Sequence, residues 1–401
     1  MPSSIQPEQF ELIRLNDTEI IEFTRTQNGQ AWKGALSIKD YVLREHVLGK
    51  SRMATTSPNQ LLVFMLKRIN DNTPLCSIEL LIRKSKKYTH SNGDVANVDI
   101  LSGCIGGVYT YPEHRGHGYA RIMVDKLLII AKEIIGHDGF IFLYSEIGEY
   151  YTKNGFKSFG VDLINVPMQG ATIDPINEPK YEFINYHEFD SLMETFRQES
   201  EDEIISKVKQ DKLTRICVEP NANILDWFHL RSKYISYKLF YENKDNSPID
   251  FYTEPYQTIT AKLSTIEPHK FGIKLYDNNR KVIAFIVWTM DYVNETNENY
   301  ITVLKLVSFE GNDDENSIQL LKLLKNHLLT QPVLGMKTSK IVIWESEIST
   351  HVKQFLVNDW KSKAGIDNPS RSAVLMNNAE DDQELRRGNV IWEGNNKLPW
   401  F

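Results

Sequence analysis

The sequence predicts a mixed α/β protein built as two units that share one order of elements. Three observations carry that expectation. Apolar runs of strand length alternate with longer stretches of helical period from Phe10 to Ile164, in the order β-α-α-β-β-β-α-β-α-β. A segment rich in proline and turn residues, Pro167 to Pro179, then interrupts the pattern. Beyond it the same coarse order begins again, with little residue identity to the first half. A chain of 401 residues is long for one core and sufficient for two. We therefore expect a first domain over 1–168, a linker over 169–179 and a second domain over 180–401.

Taken in order, Phe10 to Leu15 reads as a strand, and Asn16-Asp17-Thr18 supplies cap residues for a helix to about Arg25. A second helical patch covers Ile38 to Leu48, closed by Gly49 and the Ser57-Pro58-Asn59 turn. Leu61 to Arg68 and Cys76 to Lys87 are strands joined by the turn cluster Asn70 to Pro74. Ser102 to Ala131 is a strand, a glycine-bearing turn and an amphipathic helix. That helix carries Met123, Leu127, Ile130, Ala131 and Ile134 on one face. Phe140 to Ser145 is the next strand, Glu146 to Asn154 a short helix stopped by Gly155, and Phe156 to Ile164 a last extended run.

The second unit opens with a strand at Tyr181 to Ile184, then helical patterns at Glu188 to Val208 and Ile224 to Leu239. Strands follow at Phe271–Tyr276, Val282–Trp288 and Ile301–Phe309, then a helix over Ile318–Leu329. A strand at Ile341–Trp344, a helix at His351–Val357 and a strand at Ala373–Met376 complete the order. The tail from Asn377 is polar, then aromatic at Trp392, Trp400 and Phe401, which fits a segment that packs over the surface or closes a cleft.

Composition narrows the function classes. The chain is 41% hydrophobic and 25% charged, with a net charge of −7, and no basic stripe argues for nucleic acid or an anionic membrane as a partner. Cys76, Cys104 and Cys217 form neither a disulfide framework nor a metal motif, and read as buried thiols. No His, Cys or carboxylate cluster has metal-ligand spacing, so no metal is expected. MPSSIQPEQF lacks the basic-then-apolar pattern of a signal peptide, and Val282–Trp288 is too short to span a bilayer. These features point to a cytoplasmic protein, with the nucleus as the alternative.

The turn Arg115-Gly116-His117-Gly118-Tyr119-Ala120 stands where a helix begins, so its backbone N–H groups and the helix dipole favour a phosphate or pyrophosphate. It is not a P-loop, because no Lys follows the glycines, and not a dinucleotide fingerprint, because Arg121 stands where the third glycine should be. It fits a different pattern: Gln or Arg, two residues, Gly, one residue, then Gly or Ala, met by Arg115, Gly118 and Ala120. A second stretch, Tyr150-Tyr151-Thr152-Lys153-Asn154-Gly155-Phe156, follows the next strand.

With these two motifs in this order, the first half resembles the GNAT superfamily of acyl-CoA N-acyltransferases, from about Phe10 to Ile164. The resemblance implies a mixed central sheet whose fourth and fifth strands splay apart, followed here by a second, degenerate GNAT-like domain. It implies acetyl-CoA as co-substrate, with the pyrophosphate on the backbone of Arg115, Gly116, His117, Gly118, Tyr119 and Ala120. It implies main-chain bonds from Val108, Tyr109 and Thr110 to the acetyl carbonyl and pantetheine arm. Gly106 and Gly107 fit a bulge that opens the slot. Tyr151 matches the family's general acid, which protonates the departing thiolate, and Tyr150 is expected to face the core. Ser102 to Thr110 holds no carboxylate, so the base stays open between Glu79, Glu146, Asp99 and a chain of water.

At the equivalent junction of the second unit stands Glu310-Gly311-Asn312-Asp313-Asp314-Glu315-Asn316, whose carboxylates would repel a pyrophosphate. One live CoA loop followed by a GNAT-like half resembles the fungal lysine acetyltransferases, which act on the ε-amine of free lysine. The expected acceptor is accordingly a small amine, L-lysine foremost. A protein or peptide acetyltransferase and a CoA-binding regulator without turnover are the alternatives.

Overall fold

The computed structural model describes residues 9–91, 93–176, 180–293, 298–309 and 313–401. The first part of the chain forms β1 (Phe10–Leu15), α1 (Thr18–Trp32), α2 (Ile38–Leu48), α3 (Arg52–Thr55), β2 (Gln60–Arg68), β3 (Pro74–Ser91) and β4 (Asp94–Thr110). Then come α4 (Tyr119–Ile135), β5 (Phe140–Ser145), β6 (Lys157–Phe159) and β7 (Leu163–Pro167). The second part forms β8 (Lys180–Asn185), α5 (Asp190–Asp211), β9 (Thr214–Val218), α6 (Ala222–Ser236), α7 (Tyr256–Ser264), β10 (Lys270–Tyr276), β11 (Val282–Val293) and β12 (Glu298–Ser308). It continues with α8 (Asp313–Thr330), β13 (Lys337–Trp344), α9 (Thr350–Asn358), β14 (Lys363–Ile366), β15 (Arg371–Met376), α10 (Ala379–Arg387) and β16 (Val390–Trp392).

Among the described residues these strands make two sheets. The first has nine strands, in the order β1-β2-β3-β4-β5-β15-β6, with β9 added beside β3 and β16 beside β9. The second has seven, in the order β14-β7-β13-β12-β11-β10-β8. Each is mixed: β4 runs parallel to β5, and β12 parallel to β13. Sheet membership crosses the boundary expected at 168. Strand β7 lies between β13 and β14 of the second sheet, while β15 slots between β5 and β6 of the first. Each unit thus completes the other's sheet, and the backbone groups exposed by one segment are paired by another far away in sequence.

One apolar core joins the two sheets. It includes Leu81, Cys104, Phe140 and Phe142 of the first sheet and Phe271, Phe285, Val287 and Leu304 of the second. Between them lies α6, with Leu225, Trp227, Phe228, Leu230 and Tyr234 buried in the same core. α6 is buried on nearly every side, and its polar residues find partners there: Asp226 accepts from Arg52 N and the Tyr256 hydroxyl, and the Ser232 hydroxyl donates to Met290 O. All three cysteines are buried and unpaired.

Helix α4 covers the other side of the first sheet. Its buried face is Tyr119, Met123, Val124, Leu127, Leu128, Ala131 and Ile135. The expected face differs at one end: Ile134 turns to solvent and Ile135 takes its place. At 100° per residue a predicted stripe drifts, and the final turn is where a neighbour replaces the expected residue. Gly103 allows the close approach, since a Cβ there would meet Ile135 Cδ1 at 2.7 Å and Leu80 Cδ1 at 2.8 Å.

Other expectations also shift. The helix expected over Glu146–Asn154 is a single 3-10 turn, Tyr150–Asn154, ended by Gly155 at φ 94°. The run Phe156–Ile164 divides into β6 and the start of β7. Strands β9, β14 and β16 and helices α7 and α10 carry too few residues for their periods to stand out of the sequence.

Candidate active site

The site begins where β4 parts from its neighbour. β4 pairs with β5 only from Ser102–Phe140 to Ile105–Leu143. On its other side, Gly106 opposes Glu79 and Tyr109 opposes Ser77, so Gly107 and Val108 together face the single residue Ile78. That is a β-bulge, with Gly107 at φ 56°. The bulge bends β4 away from β5 and opens a slot at Gly106, Gly107 and Val108. The expected splay of the fourth and fifth strands is therefore present, and its cause is the Gly106-Gly107 pair.

Ten residues further on, the loop leads into α4. Gly116 (φ 83°) and Gly118 (φ 78°) are left-handed, and nothing lies within 4 Å of where a Cβ would stand on either. Gly118 caps α4 without a side chain, so no capping side chain covers the start of the helix. The N–H groups of Gly116, His117 and Gly118 meet no protein acceptor among the described residues. Arg115 does not reach outward. Its Nε donates to Thr110 O (3.2 Å) and its Nη2 to the Tyr109 hydroxyl (2.9 Å), tying the loop to the strand end. Tyr119 is buried against Phe10, and the exposed His117 stacks on its ring, so their contribution to a ligand is the main chain. An open run of N–H groups on a positive helix end fits a pyrophosphate.

From the slot a cleft of about 570 Å³ extends between the two sheets. That volume suits a small molecule together with the reactive end of a thioester. The first sheet supplies Glu79, Gly106, Gly107, Val108 and Tyr144, with Tyr151 beside them; the second supplies Thr289, Asp291, Tyr300, Thr302 and Lys340. Lys397, Trp400 and Phe401 of the tail form a third wall. The tail is held there by Arg83 Nη1, which donates to Pro399 O (2.7 Å), and by the Tyr144 hydroxyl, which donates to Asn396 O (2.7 Å). A Cβ on Gly106 would come within 2.7 Å of the Phe401 ring, so glycine there leaves room for the tail as well as for the bulge.

The structure brings Val108 and Tyr151 together in this cleft. Tyr109 and Thr110 lie on the same strand nearer the loop, with the Tyr109 ring against Trp32 (5.7 Å) and its hydroxyl on Arg115. Tyr151 is the buried member of its pair, packed against Phe156, while Tyr150 is half-buried under Lys153. The core-facing role expected for Tyr150 thus falls to Tyr151, because the 3-10 turn advances 120° per residue and turns the second ring inward. No hydrogen bond reaches the Tyr151 hydroxyl among the described residues. Burial, chiefly, and then Tyr150 and Glu146 raise its pKa, so the phenol keeps its proton.

Of the carboxylates considered, Glu79 is buried in the cleft wall beside Gly107, whose Cβ position lies 3.4 Å from Glu79 Cγ. Burial lifts its carboxyl above the usual range, against the pull of Arg25, whose Nε is 3.5 Å away. Glu146 lines the cleft mouth and accepts from Trp32 Nε1 (3.0 Å). Asp99 is removed from the set: it is exposed on the distal part of the β3–β4 hairpin, paired with Lys86 (3.1 Å), and does not line the cleft. Sequence reasoning missed Arg231 and Asp291, which pair on the cleft wall at 3.2 Å. Their one local sign was the polar alternation Thr289-x-Asp291 after an apolar run.

In the second unit, Glu310, Gly311 and Asn312 lie outside the described residues. Asp313, Asp314 and Glu315 open α8, and Asp314 accepts from the Ser349 hydroxyl. That helix end is answered by the protein's own carboxylates. Among the described residues there is no group of three or more His, Cys, Asp or Glu placed to hold a metal, and no helix long and apolar enough to cross a membrane.

A bulged and splayed β4, an open glycine loop at the start of α4 and a tyrosine after β5 define an acyl-CoA N-acyltransferase of GNAT architecture, with acetyl-CoA as the implied co-substrate. A family model described as the LYC1 GNAT-like C-terminal domain matches residues 165–401. The chain belongs to that LYC1-like GNAT family. The match begins inside β7, the strand that enters the second sheet. An uncharacterised protein of Saccharomyces cerevisiae, YGR111W, is 24% identical over 430 residues, covering 96% of each chain. Two solved structures share the fold. One is a probable N-acyltransferase of unknown function from Enterococcus faecalis V583, with a TM-score of 0.52 and 10% identity over 92% of this chain and 73% of that one. The other is a GCN5-related N-acetyltransferase from Anabaena variabilis, with a TM-score of 0.52 and 14% identity over the same shares.

Proposed function

We propose that this protein transfers acetyl from acetyl-CoA to the side-chain amine of free L-lysine. The observation that carries the reading is the cleft of about 570 Å³, walled by both sheets and the tail, which starts at the slot and ends on charged residues of the second sheet. A walled cleft favours a small acceptor over a peptide, which needs an open trough. One CoA site serves the whole chain. The pyrophosphate rests on Arg115–Ala120 through the main chain, and the pantetheine arm follows Val108–Thr110.

The chemistry then runs as follows. Glu79 takes a proton from the incoming ammonium, directly or through water, since an alkyl amine with a pKa near ~10.4 is charged at neutral pH. The neutral nitrogen attacks the thioester carbon, and an N–H of bulged β4 holds the developing oxyanion. The C–S bond breaks, Tyr151 donates its proton to the thiolate, and the nitrogen gives up its remaining extra proton to water in the cleft, from which Tyr151 is reprotonated. Its raised pKa suits it to donate rather than to be ionised beforehand.

Purified protein mixed with acetyl-CoA and a panel of amino acids, polyamines and lysine peptides tests this by thiol release. Release is expected with L-lysine; release with peptides alone moves the acceptor to the protein class, and none with any amine leaves a CoA-binding regulator. Glu79→Gln is expected to lower kcat by about a hundredfold. The pH profile gives the sign. Glu79 works deprotonated, so activity rises with pH through its raised pKa, and the variant loses that acidic limb. An unchanged profile would assign the base to water.

A further inference from the structure

We infer that Arg231 and Asp291 hold the carboxylate and ammonium of an amino-acid acceptor at the end of the cleft away from the acetyl group. The inference rests on the acetyl-transfer reading of the same cleft and names what selects the acceptor.

The second sheet turns a polar patch toward the cleft. On β11 and β12, Thr289 opposes Thr302 and Asp291 opposes Tyr300, and all four line it. Residues two apart on a strand share a face, so this is one surface. Arg231 reaches it from α6, one turn beyond Trp227. Its Nη2 donates to Asp291 Oδ1 at 3.2 Å. Its Nε is buried with no hydrogen-bond partner. A guanidinium tied at Nη2 and more than a third exposed, with no partner on Nη1 among the described residues, offers half of a carboxylate site. Asp291 supplies the opposite charge beside it, and its field holds the Tyr300 phenol protonated as a further donor. Opposite charges a few ångströms apart match the paired ends of a zwitterion.

Beside this pair the wall toward the slot is largely aromatic, with Lys397 set among the rings, its Nζ 3.4 Å from the centre of the Trp400 ring. The Trp227 ring lies 5.5 Å from that of Phe401, and the Phe401 ring covers Gly106. A methylene chain fits that stretch, which puts a terminal side-chain amine, and not the α-amine, at the acetyl group. The pair has little to do for the fold. Arg231 is more than a third exposed, and ion pairs so placed contribute little to stability.

The test measures kcat/KM of the full chain for L-lysine, cadaverine and 6-aminohexanoate, with wild type, Arg231→Gln and Asp291→Asn. Wild type is expected to prefer lysine to either analogue by at least about tenfold. Arg231→Gln should lower the lysine value by about 10- to 100-fold and leave cadaverine, which has no carboxylate, unchanged. Asp291→Asn should lower lysine similarly and spare 6-aminohexanoate, which has no α-ammonium. Melting curves that match wild type show that the variants fold. Equal losses with all three amines, or no loss with lysine, overturn the inference. If wild type turns over no amine, the transfer reading falls, and calorimetry with CoA and L-lysine decides the pair. Lysine heat lost in Arg231→Gln supports it; absence of heat in wild type overturns it.

Discussion

Replacing Tyr151 by phenylalanine is expected to lower kcat by about 10²–10⁴-fold, the usual worth of a placed general acid. CoA affinity should not change. The substitution removes one oxygen and no hydrogen bond, because the hydroxyl has no protein partner among the described residues. The ring's packing on Phe156 and Tyr150 survives, so stability should stay within about 1 kcal/mol of wild type. Thiol-release kinetics and calorimetric titration with CoA separate the two quantities. Unchanged turnover would remove Tyr151 from the mechanism, and a parallel loss of CoA binding would make its role structural.

The second large effect is expected at Gly118. Valine there must adopt φ near 78°, which costs a residue with a Cβ about 1–2 kcal/mol and a β-branched one more. The strain falls on the residue that caps α4. Relaxing it turns the first N–H groups away from the loop and places a branched side chain over the backbone a pyrophosphate must touch. The KM for acetyl-CoA should rise by about 10- to 100-fold with a smaller change in kcat. Ile129→Gln, on the exposed face of the same helix, is the control and should change neither. A Gly118→Val enzyme with wild-type KM would place the anion site elsewhere.

The glycine loop before α4 and Tyr151 could be read from the chain because each is local. The loop needs glycines at left-handed positions just before a helix, and a few adjacent residues state that requirement in full. The bulge was legible for the same reason, as Gly106-Gly107 inside a strand. The proposed base was partly legible. Glu79 stands on a neighbouring strand, and nothing in its own segment shows that β4 will bulge opposite it; Asp99 has the same chemistry and lies far along the hairpin.

What the chain could not state locally is which edge each strand joins. β7 and β15 are ordinary apolar runs, and their exchange between sheets follows from where unpaired edges are left once everything else has docked. The charge pair of the cleft belongs to this class. Arg231 lies on a helix and Asp291 on a strand 60 residues away. The sequence by itself thus determined most of the long elements, the glycine loop before α4 and the tyrosine after β5, because contiguous residues encode them. Only the tertiary structure decided the cleft and its third wall, and so what stands opposite the acetyl group, because those surfaces exist only where distant segments meet.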